Sequence, residues 1–125
     1  MTEYCLPGLS DDPMFSKRLL AASLEPLMLS LLADGPQYGY QIIKRARHLS
    51  NDQIRWSNSK LYPLLHRLEG NGLVEAFWQP SDSGPARKYY RLTPKGHTAL
   101  AATKKEWLSM NAIFAQLWGP EPAFG

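Results

Sequence analysis

Residues 61–74, LYPLLHRLEGNGLV, contain the apolar face of a helix, the end of that helix and the start of a strand. Four leucines recur at spacings of three and four residues, which places them on one helical face. They are Leu61, Leu64, Leu65 and Leu68. Asn71-Gly72 is a turn signal that ends the helix, and the apolar residues of 73–78 are typical of a strand. The segment therefore predicts a helix that follows Ser57 and runs directly into a strand, with Pro63 bending the helix near its start.

A second strand is predicted downstream of the first. Residues 87–93 read as that strand, and residues 79–86 are turn formers that would join the two strands. Because side chains alternate between the two faces of a strand, Tyr90 and Leu92 are expected to face the core. The two segments together predict a β-hairpin.

Two further helices are predicted nearer the N-terminus. The first carries a stripe of leucine and methionine over residues 20–32 and ends at Gly35-Pro36. Ser23 is its expected N-cap, which puts Pro26 in the first turn, where a missing N–H removes no helical hydrogen bond. Residues 13–22 form either a separate lead-in helix or a continuation of this one.

The remaining helices complete the order of elements. The second helix begins at Tyr38 and has an apolar side that extends to Leu49, and the last begins at Thr93-Pro94 and runs to Trp118. Three short helices, a hairpin and a long helix predict a mainly α fold with a small β-hairpin, a winged helix-turn-helix plus a long C-terminal dimerisation helix. The expected boundaries are an N-terminal arm over 1–15, the winged helix-turn-helix over 16–93, the dimerisation helix over 94–118 and a tail over 119–125.

The composition is that of a single soluble domain. The chain has 125 residues, of which 44% are hydrophobic and 20% charged, a balance typical of a globular protein. The longest apolar run, residues 27–33, is far shorter than the roughly 20 residues that span a bilayer. The N-terminus lacks the basic start and apolar stretch of a secretory signal, and the lone Cys5 cannot form an internal disulfide. We therefore expect a cytoplasmic protein with no membrane contact.

No enzymatic site can be assembled from the sequence. An enzyme would need a nucleophile with a base, a carboxylate pair, a metal cluster or a phosphate-binding loop. His48, His66 and His97 lack the spacing of metal ligands, and no glycine-rich loop follows a strand. We expect no catalytic residue, no metal and no cofactor.

The positive charge is concentrated in the middle of the chain. The net charge is +3 overall, but residues 44–95 hold ten basic residues against four acids, a balance of +6. Such a segment is suited either to a polyanion such as DNA or to a solvated charged face.

The predicted third helix and the hairpin supply a candidate DNA-binding surface. In a helix-turn-helix the third helix enters the major groove, and a wing lies against phosphates or the minor groove. Arg87 and Lys88 are expected at the hairpin tip, and Gln37 and Tyr38 could bond a phosphate at the start of the second helix. A polar solvent face and simple packing of Tyr38 are the alternatives. The candidate residues are Gln37, Tyr38, Asn58, Ser59, Lys60, Tyr62, His66, Arg67, Arg87 and Lys88.

Three segments in this order resemble the PadR-like transcriptional regulators. They are LEPLMLSLLADGPQYGYQIIK (24–44), LYPLLHRLEGNGLV (61–74) and RKYYRLTPKG (87–96). The resemblance covers roughly residues 23–118, and the single C-terminal helix is similar to that of the small subfamily, which includes multidrug-sensing repressors. It implies a winged-helix homodimer that represses at a pseudo-palindromic operator, with release by a small aromatic or cationic compound in some members. It assigns the recognition helix to residues 58–67 and the basic wing residues to Arg87 and Lys88, while Lys60 departs from the family's usual pattern.

The last helix carries a seam typical of a dimer. Six residues are spaced three and four apart, as in a coiled coil. They are Leu100, Thr103, Trp107, Met110, Phe114 and Leu117. A helix of about 25 residues spans roughly 37 Å, more than the core of this domain needs. A two-fold dimer through this helix would place two recognition helices about 34 Å apart, one turn of DNA.

Two alternatives remain open at this stage. Trp107 matches a position at which multidrug-sensing members present an indole to flat aromatic ligands, but a tryptophan there can equally serve as interface packing. A winged helix can also bind a protein rather than DNA. The basic residues of the third helix and the hairpin favour double-stranded DNA as the partner.

Overall fold

Four helices and three strands follow one another in the computed structural model, which describes residues 15–119. The elements are α1 (Lys17–Leu32), β1 (Gln37–Tyr38), α2 (Gly39–Leu49), α3 (Asn58–Gly70), β2 (Val74–Ser81), β3 (Gly84–Leu92) and α4 (Pro94–Trp118). This order confirms the predicted mainly helical winged helix with a long last helix. The predicted arm over 1–15 and tail over 119–125 lie outside the described residues, except for residues 15 and 119. None of the helices within the described range is long and apolar enough to cross a bilayer.

The start of α1 differs from the prediction. The helix is capped by Ser16, whose hydroxyl oxygen accepts a hydrogen bond from the backbone N–H of Leu19 at 3.1 Å. Ser23 is not the N-cap, because it lies inside the helix and donates its own hydroxyl to the Leu19 carbonyl at 2.7 Å. Serine can bond in this way to the carbonyl one turn back, so it does not by itself mark a helix start. Of the two alternatives left open for the residues before Ser23, the structure has the continuation, since α1 is unbroken from Lys17, and Pro26 lies in the helix interior.

The three strands form one antiparallel sheet in the order β1-β3-β2. The hairpin of β2 and β3 is the wing. It is longer than predicted, because residues 79–81 and 84–86 belong to its strands and only residues 82–83 turn. Prolines are tolerated at the edges of a two-stranded ribbon, where they need not donate a ladder hydrogen bond. Arg87 and Lys88 consequently pair with Gln79 and Trp78 within the ribbon, and their predicted position at its tip is wrong.

The core lies between the helices and the inner face of the sheet. The four leucines of α3 are buried as predicted, together with Tyr90 and Leu92 of β3. Among the described residues, the Tyr90 hydroxyl is a buried polar atom without a hydrogen-bond partner, and burial raises the pKa of this phenol above its ordinary value. Leu49 departs from the prediction, because it is 65% exposed at the end of α2 and lies outside the core.

Two glycines allow elements to approach closely. A Cβ on Gly39, the first residue of α2, would overlap the Tyr62 hydroxyl oxygen of α3 and lie 3.1 Å from its Cζ. A Cβ on Gly96, in the first turn of α4, would overlap the Leu73 carbonyl oxygen and lie 3.2 Å from Leu92 Cδ2. The first contact fixes α3 against α2, and the second fixes α4 against the base of the wing.

Replacing Gly39 with alanine is expected to lower the free energy of unfolding by about 1–3 kcal/mol, because the added methyl displaces the Tyr62 ring. Gly70→Ala is the matched control, since nothing lies within 4 Å of a Cβ at the end of α3. That control is expected to leave stability unchanged or to raise it by up to about 1 kcal/mol, as alanine favours the helix. Denaturant unfolding monitored by circular dichroism measures both values, and a Gly39→Ala variant as stable as the wild type would contradict the packing described here.

Candidate nucleic-acid interface

The outward face of α3 carries polar and basic side chains. Burial of its four leucines fixes this helix against the core, and the other side of the helix is directed to solvent. The exposed residues include Asn58, Ser59, Lys60, His66 and Arg67. The Ser57 and Ser59 hydroxyls lie 2.9 Å apart, in hydrogen-bonding contact at the start of the helix. These groups are of the kinds that reach base edges and phosphates. Pro63 lies inside α3 as expected, and a bend there stays a prediction.

Two of the candidate residues on α3 have partners within the chain. Tyr62 is half-buried, and its ring packs against Gly39 and the hydrophobic core. Arg67 lies 3.7 Å from the Glu25 carboxylate of α1, with both side chains substantially exposed. An exposed pair at this distance is weak, so Arg67 can exchange its partner for a phosphate.

The wing places two basic side chains beside each other on opposite faces of β3. Arg87 is exposed, and its guanidinium carbon lies 4.6 Å from the centroid of the Tyr38 ring. Lys88 is half-buried, with Nζ 5.6 Å from the centroid of the Tyr90 ring. Both contacts are within the range of cation–π attraction, which orients a side chain without neutralising its charge.

Gln37 and Tyr38 form the short strand β1 rather than a free helix start. Gln37 pairs with Tyr90 and Tyr38 pairs with Tyr89. The Gln37 side-chain amide donates to the Leu31 carbonyl at the end of α1. The backbone N–H of Tyr38 donates to the Gln41 side chain at 3.1 Å. Gln37 therefore holds α1 against the sheet, and Tyr38 is the N-cap residue of α2.

Ion pairs within the chain reduce the charge that is free to meet a polyanion. Four arginines of the basic middle segment lie within ion-pair distance of a carboxylate. The pairs are Arg45–Asp34, Arg47–Asp52, Arg67–Glu25 and Arg91–Glu75. Within residues 15–119, no carboxylate lies within 4.0 Å of the charged groups of Lys60, Arg87 or Lys88. α3 and the wing therefore carry three basic groups that are not compensated by an ion pair within this range.

The outer face of the sheet carries an aromatic row that the sequence reasoning missed. Tyr38, Tyr89 and Phe77 come from the three neighbouring strands. The Tyr38 and Tyr89 rings meet edge to face with centroids 5.3 Å apart, and the Phe77 and Tyr89 rings stack at 5.8 Å. The alternation of Arg87, Tyr89 and Arg91 was a signal for this face, but Tyr38 could not be placed on it while β1 was assigned to a helix.

The last helix leaves apolar residues uncovered beyond its first turns. Leu100 is only 8% exposed and packs in the chain's own core, so it is not available to a partner. Further along the predicted seam, Trp107, Met110 and Phe114 are partly exposed and Leu117 is 74% exposed. The Phe114 and Trp118 rings stack with centroids 4.6 Å apart. Leu108 and Ile113 are also exposed, so the apolar surface of α4 is wider than the predicted stripe.

Comparison with known proteins identifies the family. The sequence pattern of the transcriptional regulator PadR-like family matches residues 28–102. The chain is similar to a PadR-like transcriptional regulator from Bacillus cereus, with 28% identity, a TM-score of 0.74 and coverage of 84% of this chain and 100% of that one. It is similar to a PadR family transcription regulator from Clostridium difficile, with 31% identity, a TM-score of 0.69 and coverage of 78% and 99%.

A curated protein that is similar over part of the chain is also a transcriptional regulator. Transcriptional regulator Rv3488 of Mycobacterium tuberculosis is 42% identical over 59 residues, which cover 47% of this chain and 54% of that protein. The family match spans α3, the wing and the start of α4, the elements that hold the basic surface and orient it. The chain belongs to the PadR-like family of transcriptional regulators.

Proposed function

We propose that this protein is a homodimeric, sequence-specific DNA-binding repressor. One observation carries the proposal: on a winged helix of a regulator family, α3 and the wing present Lys60, Arg87 and Lys88, and within residues 15–119 none of these three has a carboxylate within 4.0 Å. Family membership makes the chain a transcription regulator. We propose in addition that it binds DNA, that it represses transcription and that it recognises a specific operator sequence.

The exposed side chains suggest a division of roles. Asn58, Ser59 and His66 lie on the outward face of α3, where short polar groups can meet base edges in the major groove. Lys60 is suited to guanine or to a phosphate. Arg87 and Lys88 are suited to the DNA backbone beside α3, where they would set affinity rather than sequence preference.

The wild-type protein is expected to enrich a preferred sequence from a pool of randomised duplexes long enough for two half-sites. It should bind the enriched duplex more tightly than a scrambled duplex of equal composition, and a higher salt concentration should weaken both interactions through counterion release. Fluorescence anisotropy at two salt concentrations measures this. Failure to bind any duplex would contradict the proposal and favour the protein-binding alternative.

Replacing Arg87 and Lys88 together with alanine tests the wing. The double variant is expected to lose affinity for both duplexes and to reduce the salt slope of log K by about 2, since two phosphate contacts are removed. Lys104→Ala with Lys105→Ala is the matched control, because it removes the same charge from an exposed part of α4. Equal losses in the two double variants would indicate a net-charge effect and reject the wing contact.

We further propose that α4 forms the dimer contact through Trp107, Met110, Phe114 and Leu117, beginning beside the half-buried Thr103. Exposed apolar groups of this size on one helix favour a second copy as partner, and a two-fold axis there would present two α3 helices to a pseudo-palindromic operator. Leu100 is excluded from this contact by its own burial.

Phe114→Glu is expected to convert the dimer to monomer, because it would bury a charge at the contact. Leu108→Glu is the matched control, as residue 108 is 64% exposed and lies about 100° round the helix from Trp107. Analytical ultracentrifugation measures the mass and circular dichroism checks the helix content. If Leu108→Glu dissociates the dimer and Phe114→Glu does not, the contact uses the other side of α4.

A small aromatic or cationic compound is proposed as the effector that releases DNA, with Trp107 as the ring on which it stacks. The exposed part of the Trp107 indole supports this role, and simple interface packing is the alternative. Planar aromatic cations are expected to quench wild-type fluorescence more than that of Trp107→Phe, and to lower operator affinity. Equal quenching in both proteins with unchanged affinity would reject the effector site.

A further inference from the structure

A row of five side chains crosses the outer face of the sheet. From one end to the other, the row is Arg87, Tyr38, Tyr89, Phe77 and Arg91. Each arginine lies over the terminal ring, with its guanidinium carbon 4.6 Å from the Tyr38 centroid and 4.5 Å from the Phe77 centroid, respectively. The row therefore joins all three strands through ring contacts in addition to their backbone pairing.

The two arginines differ in their charge environment. Arg91 donates from Nε to the Glu75 carboxylate at 2.7 Å, so its charge is matched within the wing. The Arg87 guanidinium contacts the face of the Tyr38 ring. Within residues 15–119, no carboxylate lies within 4.0 Å of it. A guanidinium that stacks on a ring keeps its N–H donors at its edge, in the plane in which a phosphate is bound. Arg87 is thus both held in place and uncompensated.

Tyr38 also connects the wing to α3. It is the residue before Gly39, whose missing side chain leaves room for the Tyr62 ring of α3. Arg87 contacts the Tyr38 ring, and Tyr62 packs against the adjacent Gly39. Two adjacent residues, Tyr38 and Gly39, thus connect the Arg87 side chain to α3.

We propose that Tyr38 is a positioning residue for DNA binding, which holds the Arg87 guanidinium by its ring at a fixed place beside α3 and does not itself bind phosphate. This inference rests on the proposed function and reassigns Tyr38 from the phosphate contact expected from the sequence. DNA binding then requires the ring of Tyr38, which holds the Arg87 guanidinium, and does not require its hydroxyl.

Two substitutions separate the ring from the hydroxyl. Tyr38→Phe keeps the ring and removes the hydroxyl, whereas Tyr38→Thr keeps a hydroxyl and removes the ring. Threonine suits both a strand and an N-cap, so Tyr38→Thr preserves the local backbone. We expect affinity for the enriched duplex to be within about twofold of wild type for Tyr38→Phe. For Tyr38→Thr we expect a loss of about threefold to tenfold, the range of a cation–π contact.

A double-mutant cycle with Arg87→Ala tests whether Tyr38 acts through Arg87. In the Arg87→Ala background, adding Tyr38→Thr should change affinity by less than about twofold, because the group that it positions is already absent. The double variant Glu75→Ala with Arg91→Ala is the matched control, expected to be within about twofold of wild type with an unchanged salt slope, because it removes an ion pair and leaves the net charge unchanged. NMR of the DNA-free protein should show the Arg87 side-chain Nε–H shifted by the ring current in wild type and Tyr38→Phe, and unshifted in Tyr38→Thr.

Several outcomes would overturn the inference. A loss of affinity in Tyr38→Phe with retention in Tyr38→Thr would assign a phosphate contact to the hydroxyl, and additive losses in the cycle would make Tyr38 independent of Arg87. If the folded wild type shows no ring-current shift, the Arg87 guanidinium does not lie over the Tyr38 ring, and the inference fails. This result does not depend on whether Tyr38→Thr folds. Each of these results leaves wild-type DNA binding intact, whereas a wild-type protein that binds no duplex overturns the proposed function and this inference with it.

Discussion

The contact between Gly39 and the Tyr62 ring fixes the relation between α2 and α3. Any side chain at residue 39 would occupy the space of the Tyr62 hydroxyl and ring edge. Because Gly39 directly follows Tyr38, which pairs with Tyr89 of β3, the same contact connects α3 to the sheet through two adjacent residues. The outward face of α3 and the charged face of the wing are oriented together as a result. A regulator that reads DNA with two elements needs this fixed relation, since base and phosphate contacts must be made at the same time.

The basic side chains fall into two groups, those with an acid or carbonyl partner among residues 15–119 and those without one. Most arginines outside α3 and the wing are held by acids or carbonyls, as Arg45 is by Asp34 and by the Leu31 carbonyl at the end of α1. These side chains contribute to packing and to helix ends rather than to an open positive field. Lys60, Arg87 and Lys88 carry no such compensation in the described part of the chain. A modest net charge is therefore compatible with a local surface suited to DNA.

Local patterns in the sequence predicted the helices and the main core. The leucine spacing of α3 and the alternation of Tyr90 and Leu92 each follow from a single element's periodicity, and the structure confirms both. The predicted start of α4 at Thr93-Pro94 is also confirmed, since Thr93 is the N-cap and its hydroxyl accepts from the Gly96 N–H at 3.0 Å. Such features depend on neighbours along the chain, which a sequence displays directly.

The parts that were wrong depend on residues far apart in sequence. Strand β1 is only two residues long and forms because β3 pairs with it, so no local sequence pattern predicts it. The wing extends through prolines because its edges need no further hydrogen bonds, and this moved Arg87 away from the tip. The ion pairs of Arg67 and Arg91 join separate elements, and for that reason the summed charge of the middle segment did not show which of its basic groups have an acidic partner.

The proposed DNA-binding surface consists of α3 and the wing together. NMR shift mapping of the labelled protein on addition of the enriched duplex tests it most directly, with arginine side chains observed as well as backbone amides. We expect shifts concentrated at the outward residues of 58–67 and at Arg87 and Lys88, with the buried leucines and the end of α4 little changed. Shifts confined to α4 or α1, with α3 and the wing unperturbed at saturation, would contradict it.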